Sequence, residues 1–196
     1  MQQRSRDTVD ILVTAAGRLL VDKGYGATTT ADVARVAGVS IGSLYQYFED
    51  KDAIFSELLR RHRDEVHALV EVHLRAFADP CCDPVAEMDA LLRALVALHR
   101  RDPALMRVLK RELGDLHEDA ANRHGQLPEP PVAVIEQLLV THPATHVDDP
   151  RATAELLVVI VSHVAEWLAH DASPDLDPEP VLGLMRQVIA GLLGCR

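Results

Sequence analysis

Apolar residues recur three to four positions apart along most of the chain, and the strict apolar–polar alternation typical of a β-strand is almost absent. The first helical pattern covers residues 7–23, where Leu12, Ala15 and Leu19 fall on one face. Gly24 is expected to end this helix, since glycine is a common helix terminator. Taken along its whole length, the pattern predicts an all-α fold of about nine helices.

Several later helices have predicted starts of one kind, an aspartate followed by a proline. Aspartate is a preferred N-cap, and proline is tolerated at the first helical position because its missing N–H has no partner there. These pairs are Asp83-Pro84, Asp102-Pro103, Asp149-Pro150 and Asp177-Pro178. Breaks between helices are predicted near residues 125–131, 141–149 and 173–177.

The segment from Pro150 to His170 is the most apolar part of the chain. Its run Leu157–Val161 is mostly β-branched and would suit a buried strand. However, no glycine or proline interrupts the segment after Pro150, and no second strand is available to pair with it. We therefore predict a helix that is apolar on nearly all sides and buried on several of them.

Residues 29–51 carry the most informative pattern. Thr29 is a predicted N-cap, and Asp32 three positions later completes an acidic capping box. Gly38 then permits the positive φ of a sharp turn, and Ser40 caps a second helix over residues 41–47. Two short helices joined by a glycine-containing turn predict a helix-turn-helix, within a three-helix N-terminal domain.

The second of these helices exposes short or planar hydrogen-bonding groups, namely Ser40, Ser43, Tyr45, Gln46 and Tyr47. Glutamine can read adenine with two hydrogen bonds, and hydroxyl groups can bind bases or phosphates. Lys51 follows the N-cap Asp50, where it can reach a phosphate. An ordinary helical hairpin whose polar face meets water is the alternative interpretation, and the ordered set as a whole favours DNA binding.

The segments TTADVA (29–34), AGVSIGSLYQYF (37–48) and DKD (50–52) resemble the DNA-binding region of the tetracycline-repressor (TetR) family. With the first helix, the resemblance covers about residues 6–58 and is specific at nearly every constrained position. Beyond residue 60, only the helical layout resembles the family. The resemblance implies a DNA-binding regulator that acts without an enzymatic reaction or a cofactor.

The resemblance also implies roles for individual residues. Those expected to contact phosphates are Thr29, Thr30, Tyr47 and Lys51. Those expected in the major groove, beside the cap Ser40, are Ile41, Gly42, Ser43, Tyr45 and Gln46. Leu44 and Phe48 are expected to hold the recognition helix in place. Many relatives carry a basic or amide residue at the position of Ile41, whose apolar side chain could instead touch a thymine methyl group.

The expected domains are a DNA-binding domain over residues 1–50 and a helical effector-binding and dimerisation domain over residues 51–196. A helix over residues 51–77 is long enough to connect them. The helices predicted over residues 150–171 and 178–193 carry more apolar surface than one subunit can bury. The resemblance implies that they pair with the same helices of a second subunit, so a homodimer would bind an inverted-repeat operator in double-stranded DNA.

The effector is expected to be a small, largely apolar molecule of unknown identity. Met106, His163 and Trp167 are candidate pocket residues, because together they offer apolar surface and a polar group that can bond to a ligand. A core tryptophan beside a satisfied histidine is the alternative. His163, Glu166 and His170 share a helix face, but a fourth metal ligand is not evident, so no metal site is predicted.

Composition narrows these interpretations. The net charge is −10, yet residues 1–51 carry six basic and six acidic side chains. The excess negative charge therefore lies outside the DNA-binding segment. Residues 1–10 lack the apolar stretch of a signal peptide, and the run Leu156–Val161 is shorter than the roughly 20 residues that span a bilayer. Three cysteines, Cys81, Cys82 and Cys195, suggest no disulfide framework. We therefore expect a cytoplasmic protein without a membrane segment.

The expected function is that of a repressor released from its operator by the effector, with activation left open. One alternative is a helical ligand-binding or interaction protein that does not read DNA. An enzyme is the other alternative, but the sequence contains no glycine-rich phosphate loop and no HExxH zinc motif, and no strand is predicted that could form the strand-to-helix turn of a nucleophile elbow. Whether Cys81 and Cys82 have a redox role is left open. Neighbouring acids count against it, because they disfavour a reactive thiolate.

Overall fold

The computed structural model describes residues 2–113, 131–173 and 175–195, and within these ranges the chain forms helices and no strand. The helices are α1 (Gln2–Ala27), α2 (Thr30–Ala37), α3 (Ile41–Leu44), α4 (Lys51–Phe77), α5 (Pro84–His99), α6 (Pro103–Leu113), α7 (Val132–Thr141), α8 (Pro150–Glu166) and α9 (Pro178–Leu193). The all-α prediction is confirmed. The break predicted near residues 125–131 lies almost wholly outside the described residues.

Aspartate caps begin three of the later helices, as predicted. The Asp83 carboxylate accepts from the N–H of Val85 at 2.9 Å, and the Asp149 carboxylate accepts from the N–H of Ala152 at 3.0 Å. The Asp177 carboxylate accepts from the first turn of α9 in the same way. Because each bond joins residues only two or three apart, the chain needs no distant contact to form it.

Two helix boundaries differ from the predictions. α1 begins at Gln2 rather than residue 7, and it is interrupted at Gly24 (φ 78°, ψ 168°) before a last turn that reaches Ala27. α3 ends at Leu44, so the predicted helix over residues 41–47 is wrong in its second half. There the N–H groups of Gln46 and Tyr47 bond to carbonyls only three residues back, which tightens the chain into a turn.

The described chain folds into two compact units. Residues up to Asp64 and the segment from Ala104 form the first unit, and residues 65–103 with the chain after the undescribed segment form the second. The first half of α4 contributes Ile54, Phe55 and Leu59 to the core of the first unit. The functional division at residues 50 and 51 stays a prediction.

An aliphatic core built from α5, α7, α8 and α9 fills the second unit, together with Leu74 and Phe77 at the end of α4. α8 continues into a π-helical turn, Trp167–Asp171, in which the N–H of Ala172 bonds to the carbonyl of Trp167 at 2.8 Å. By length and composition alone, the 22 residues Pro150–Asp171 would suffice to cross a membrane, although the six-residue run considered above would not. Only 28% of the apolar stretch is buried within the chain, so much of its surface is uncovered.

Candidate nucleic-acid interface

The first turn of α2 is fixed by the predicted capping box. The Thr29 hydroxyl accepts from the N–H of Asp32 at 3.2 Å, and the Asp32 carboxylate accepts from the N–H of Thr29 at 3.3 Å. Lys23 lies 2.6 Å from the same carboxylate, and Arg35 lies 3.3 Å from it. The Lys23 ammonium, followed by the Thr29 hydroxyl, holds the pKa of Asp32 well below its usual range. The carboxylate therefore stays ionised and offsets part of the positive charge here.

The turn between α2 and α3 depends on Gly38, which adopts the left-handed conformation at φ 70°. The N–H of Val39 then returns to the carbonyl of Ala34 at 3.0 Å and closes the end of α2. Ser40 caps α3, since its hydroxyl accepts from the N–H of Ser43 at 3.0 Å. The two serine hydroxyls lie 2.8 Å apart, and this mutual bond uses one of their two hydroxyl protons.

The recognition segment, residues 40–47, presents a continuous outer surface. Ile41 is 43% exposed, Tyr45 is 54% exposed, and Gly42 and Gln46 are exposed as well. Leu44 and Phe48 are buried in the core of the first unit, as predicted. Leu44 and Phe48 thus fix the segment. Of the side chains between them, Tyr45 and Gln46 are exposed, whereas Tyr47 is partly buried against the same core.

A hydroxyl pair ties the recognition segment to α2. The Tyr45 hydroxyl lies 3.1 Å from the Thr30 hydroxyl, although these residues are fifteen positions apart. Sequence reasoning assigned Thr30 to phosphate and Tyr45 to the groove, and the structure brings the two side chains together. A DNA group that binds at one hydroxyl would therefore meet the other.

Lys51 is held by the end of α1. Its ammonium donates to the carbonyl oxygen of Tyr25 at 3.1 Å and to that of Thr28 at 3.5 Å, and it lies 4.1 Å from the centre of the Tyr25 ring. The Tyr25 hydroxyl in turn donates to the Asp52 carboxylate. Sequence reasoning missed Tyr25, because nothing local links it to a lysine 26 positions away. An ammonium has three donors, so one remains for a phosphate.

The candidate effector residues are not gathered in one unit. Met106 packs against the core of the first unit, whereas His163 and Trp167 belong to the second. His163 is exposed and its Nδ1–H donates to the carbonyl of Val159 at 2.8 Å, and Trp167 is 41% exposed. Across the described ranges, the side chains form no group of three or more that could hold a metal ion.

His170 is less exposed than His163 and lies against a buried histidine. Its ring lies 5.8 Å from the ring of His99, and Arg100 donates to the carbonyl of Leu168 at 2.9 Å beside them. The π-helical turn adds a residue to its loop, so His170 no longer shares the face that helical spacing gave it with His163. Sequence reasoning missed His99, which carries no distinguishing signal in the chain.

Taken together, an all-helical fold and an exposed recognition segment in a helix-turn-helix define the class of helix-turn-helix regulators. Comparison with known families agrees. Residues 12–58 match the family model described as bacterial regulatory proteins, tetR family. Residues 83–193 match the model described as the tetracyclin repressor-like C-terminal domain. The chain belongs to the TetR family of bacterial regulatory proteins.

Individual relatives are distant. The transcriptional repressor KstR2 of Mycolicibacterium smegmatis is 28% identical over 121 residues, which is 61% of this chain and 53% of KstR2. The chain thus matches about half the length of this relative. A TetR-family protein from Mesorhizobium loti has the same fold, with a TM-score of 0.72 at 20% identity over 98% of both chains. The multidrug binding protein EbrR, solved with malachite green, has a TM-score of 0.67 at 21% identity over 94% of this chain and 97% of EbrR.

Proposed function

We propose that this chain is a cytoplasmic, homodimeric repressor that binds an inverted-repeat DNA operator and leaves it when a small molecule binds. It needs no cofactor and catalyses no reaction. The observation that carries this proposal is the outward surface of Ile41, Gly42, Tyr45 and Gln46, held by the buried Leu44. Repression rather than activation is supported by the similarity to KstR2, which is a repressor.

Few side chains would contact the bases directly. Gln46 can bind adenine with two hydrogen bonds, and Ile41 can contact a thymine methyl group, so A·T pairs are the expected preference. Thr29, Thr30, Tyr47 and Lys51 would contact phosphates, and Ser40 and Ser43 would supply one free hydroxyl proton between them. With six basic and six acidic residues among the first 51, non-specific binding to DNA should be weak.

A second copy would cover the apolar surface of α8 and α9. Leu156 and Val159 on α8 and Trp167 in the π-helical turn are exposed, and so are Leu184 and Val188 on α9. The opposite faces of both helices lie in the core. Exposed apolar patches of this kind mark association surfaces. Twofold pairing would set two recognition segments about 34–36 Å apart, which is one turn of DNA.

Release by an effector requires different affinities for the DNA-bound and free states. The second unit offers two neighbouring imidazoles as polar groups for a ligand, the buried His99 and the partly buried His170. Met106, His163 and Trp167 stay predictions from the sequence for effector contacts. EbrR, which has the same fold, binds malachite green, and this supports a largely apolar ligand here.

Selection from a random pool of duplexes tests the proposal. The expected result is an inverted repeat rich in A·T pairs, whose affinity falls with rising salt. Tyr47→Ala should then weaken binding to all sequences, whereas Gln46→Ala should change the preferred base at one position of each half-site. If no duplex is enriched over the pool, the chain is instead a helical ligand-binding or interaction protein.

A further inference from the structure

A stripe of residues that winds around α1 carries charges in an order that is complementary to itself. Arg6, Asp10, Thr14, Arg18 and Asp22 follow one another at intervals of four residues, and all except Thr14 are charged. Residues four apart are neighbours on a helix surface, offset by about 40° around its axis. Arg6, Asp10, Arg18 and Asp22 are exposed, and so is Thr14 at the centre.

An antiparallel copy of this helix, crossing it along the stripe, would match the charges nearest Thr14 with their opposites. With a twofold axis at Thr14, Asp10 of one copy faces Arg18 of the other. Arg6 and Asp22 lie about 80° to either side of Thr14 around the helix, so they flank the contact and do not pair across it. The symmetry makes the Asp10–Arg18 contact twice, as in any isologous interface. Asp10 already binds Arg61 of its own chain at 2.7 Å, but a carboxylate has acceptor positions for two cations. In the part of the chain that the structure describes, Arg18 and Asp22 have no ion-pair partner.

Apolar residues flank the charged stripe on the same side of the unit. Ile11 is 49% exposed and Val36 of α2 is 39% exposed, and together with Ala15 and Arg18 they line an open groove of about 260 Å³. Val21 is exposed further along α1. In the antiparallel pairing, Ile11 lies within one helical turn of Thr14 and therefore close to the second copy. The pairing would therefore cover apolar surface as well as match charges.

We propose that this face of α1 and α2 binds the same face of a second copy, with Thr14 at the twofold axis. The contact involves fewer residues than the roughly 20–30 a side of a stable interface, so association through it is weak in solution. On the proposed function, it would link neighbouring DNA-bound molecules, where the DNA raises the local concentration. The contact itself needs no DNA and is tested without it.

Cross-linking at the axis is the test. Thr14→Cys is made with Cys81, Cys82 and Cys195 replaced by serine, and mild oxidation is expected to give covalent dimers in amounts that rise with concentration. The matched control is Glu49→Cys, an exposed position elsewhere in the same unit, which should give about tenfold less dimer. Should the serine replacements unfold the chain, peptide mapping of the cross-link in the native-cysteine background replaces them.

Two charge reversals give the decisive comparison. Asp10→Arg and Arg18→Asp, each added to the Thr14→Cys chain, place like charges opposite each other and should each lower cross-linking about tenfold. An equal mixture of the two chains restores both attractive pairs and should recover the original yield as mixed dimers, with circular dichroism unchanged. The proposal is overturned if Thr14→Cys gives no more dimer than Glu49→Cys, or if mixing recovers nothing. Neither result would bear on DNA binding, which is measured separately.

Discussion

The hydroxyl of Tyr45 lies 3.1 Å from the hydroxyl of Thr30, and this bond joins the recognition segment to the first turn of α2. Its consequence is that the two side chains act as one unit towards DNA. A phosphate or base that approaches Tyr45 finds its hydroxyl already oriented, so less side-chain freedom is lost on binding.

Removal of either hydroxyl should therefore have the same effect. Tyr45→Phe and Thr30→Val are each expected to weaken binding to the selected duplex about fivefold, as one hydrogen bond is lost. The double variant should bind the duplex as tightly as the single variant with the lower affinity, because both changes remove the same bond. Fluorescence anisotropy at fixed salt measures the affinities. Additive losses would show that the two hydroxyls act independently.

Lys51 should have two separable effects. Lys51→Met removes donors to the carbonyls of Tyr25 and Thr28, and we expect the free energy of unfolding to fall by about 1 kcal/mol. If the third donor binds a phosphate, the slope of log affinity against log salt should also become shallower by about 0.9. Urea titration and anisotropy over a salt series measure the two effects. A lower stability with an unchanged slope would make Lys51 a purely structural residue.

Leu184 tests the dimer surface. Leu184→Glu puts a charge at the exposed apolar face of α9, and sedimentation equilibrium should show a shift from dimer to monomer, because burial of an unpaired charge is costly. Val140→Glu is the matched control, since Val140 is just as exposed but lies on α7. The control should leave the dimer intact. A dimer that survives Leu184→Glu and fails with Val140→Glu would place the interface on α7.

Gly194 lies at a position where the fold leaves no room for a side chain. Its φ is +64°, and a Cβ atom there would lie 2.0 Å from the carbonyl oxygen of His146. Gly194→Ala is expected to lower the free energy of unfolding by about 2 kcal/mol or more, from backbone strain and the clash together. Gly183→Ala, in the middle of α9 with no atom within 4 Å of the added Cβ, should instead be neutral or stabilise by up to about 1 kcal/mol. Urea denaturation at one protein concentration measures both.

Cys82 should be a slow nucleophile. Burial first, and then the carboxylates of Glu87, Asp79 and Asp83, raise the pKa of its thiol. A raised pKa lowers the thiolate fraction at every pH below it, so alkylation of Cys82 should still accelerate at a pH where an ordinary thiol has levelled off. Asp83→Asn keeps the helix cap, removes one of these charges and should speed the reaction.

Single-cysteine variants and iodoacetamide at a series of pH values give the alkylation profile. The Nε2 atom of His142 lies 3.7 Å from the sulfur, and its other ring nitrogen accepts from the N–H of Ala144 at 3.2 Å. The imidazole thus receives a hydrogen bond at Nδ1 and faces the sulfur with Nε2. Fast alkylation of Cys82 near neutral pH would contradict this description and reopen a redox role.

The sequence by itself determined the features that need only neighbouring residues. Asp83, Asp149 and Asp177 begin their helices because each carboxylate reaches an N–H two or three positions away. Gly38 makes the turn of the helix-turn-helix because glycine tolerates positive φ. The resemblance to the TetR family implied the structural role of Leu44 and Phe48, and both are buried in the core of the first unit.

Only the tertiary structure decided which polar groups meet across long stretches of chain. Three such contacts join residues between 15 and 71 positions apart. They are Thr30 with Tyr45, Lys51 with Tyr25, and His99 with His170. Propensity and spacing describe a residue relative to its own helix, whereas these contacts depend on how helices cross. The turn after Leu44 and the π-helical turn at Trp167 were missed for a related reason, because each shifts the register that helical spacing assumes.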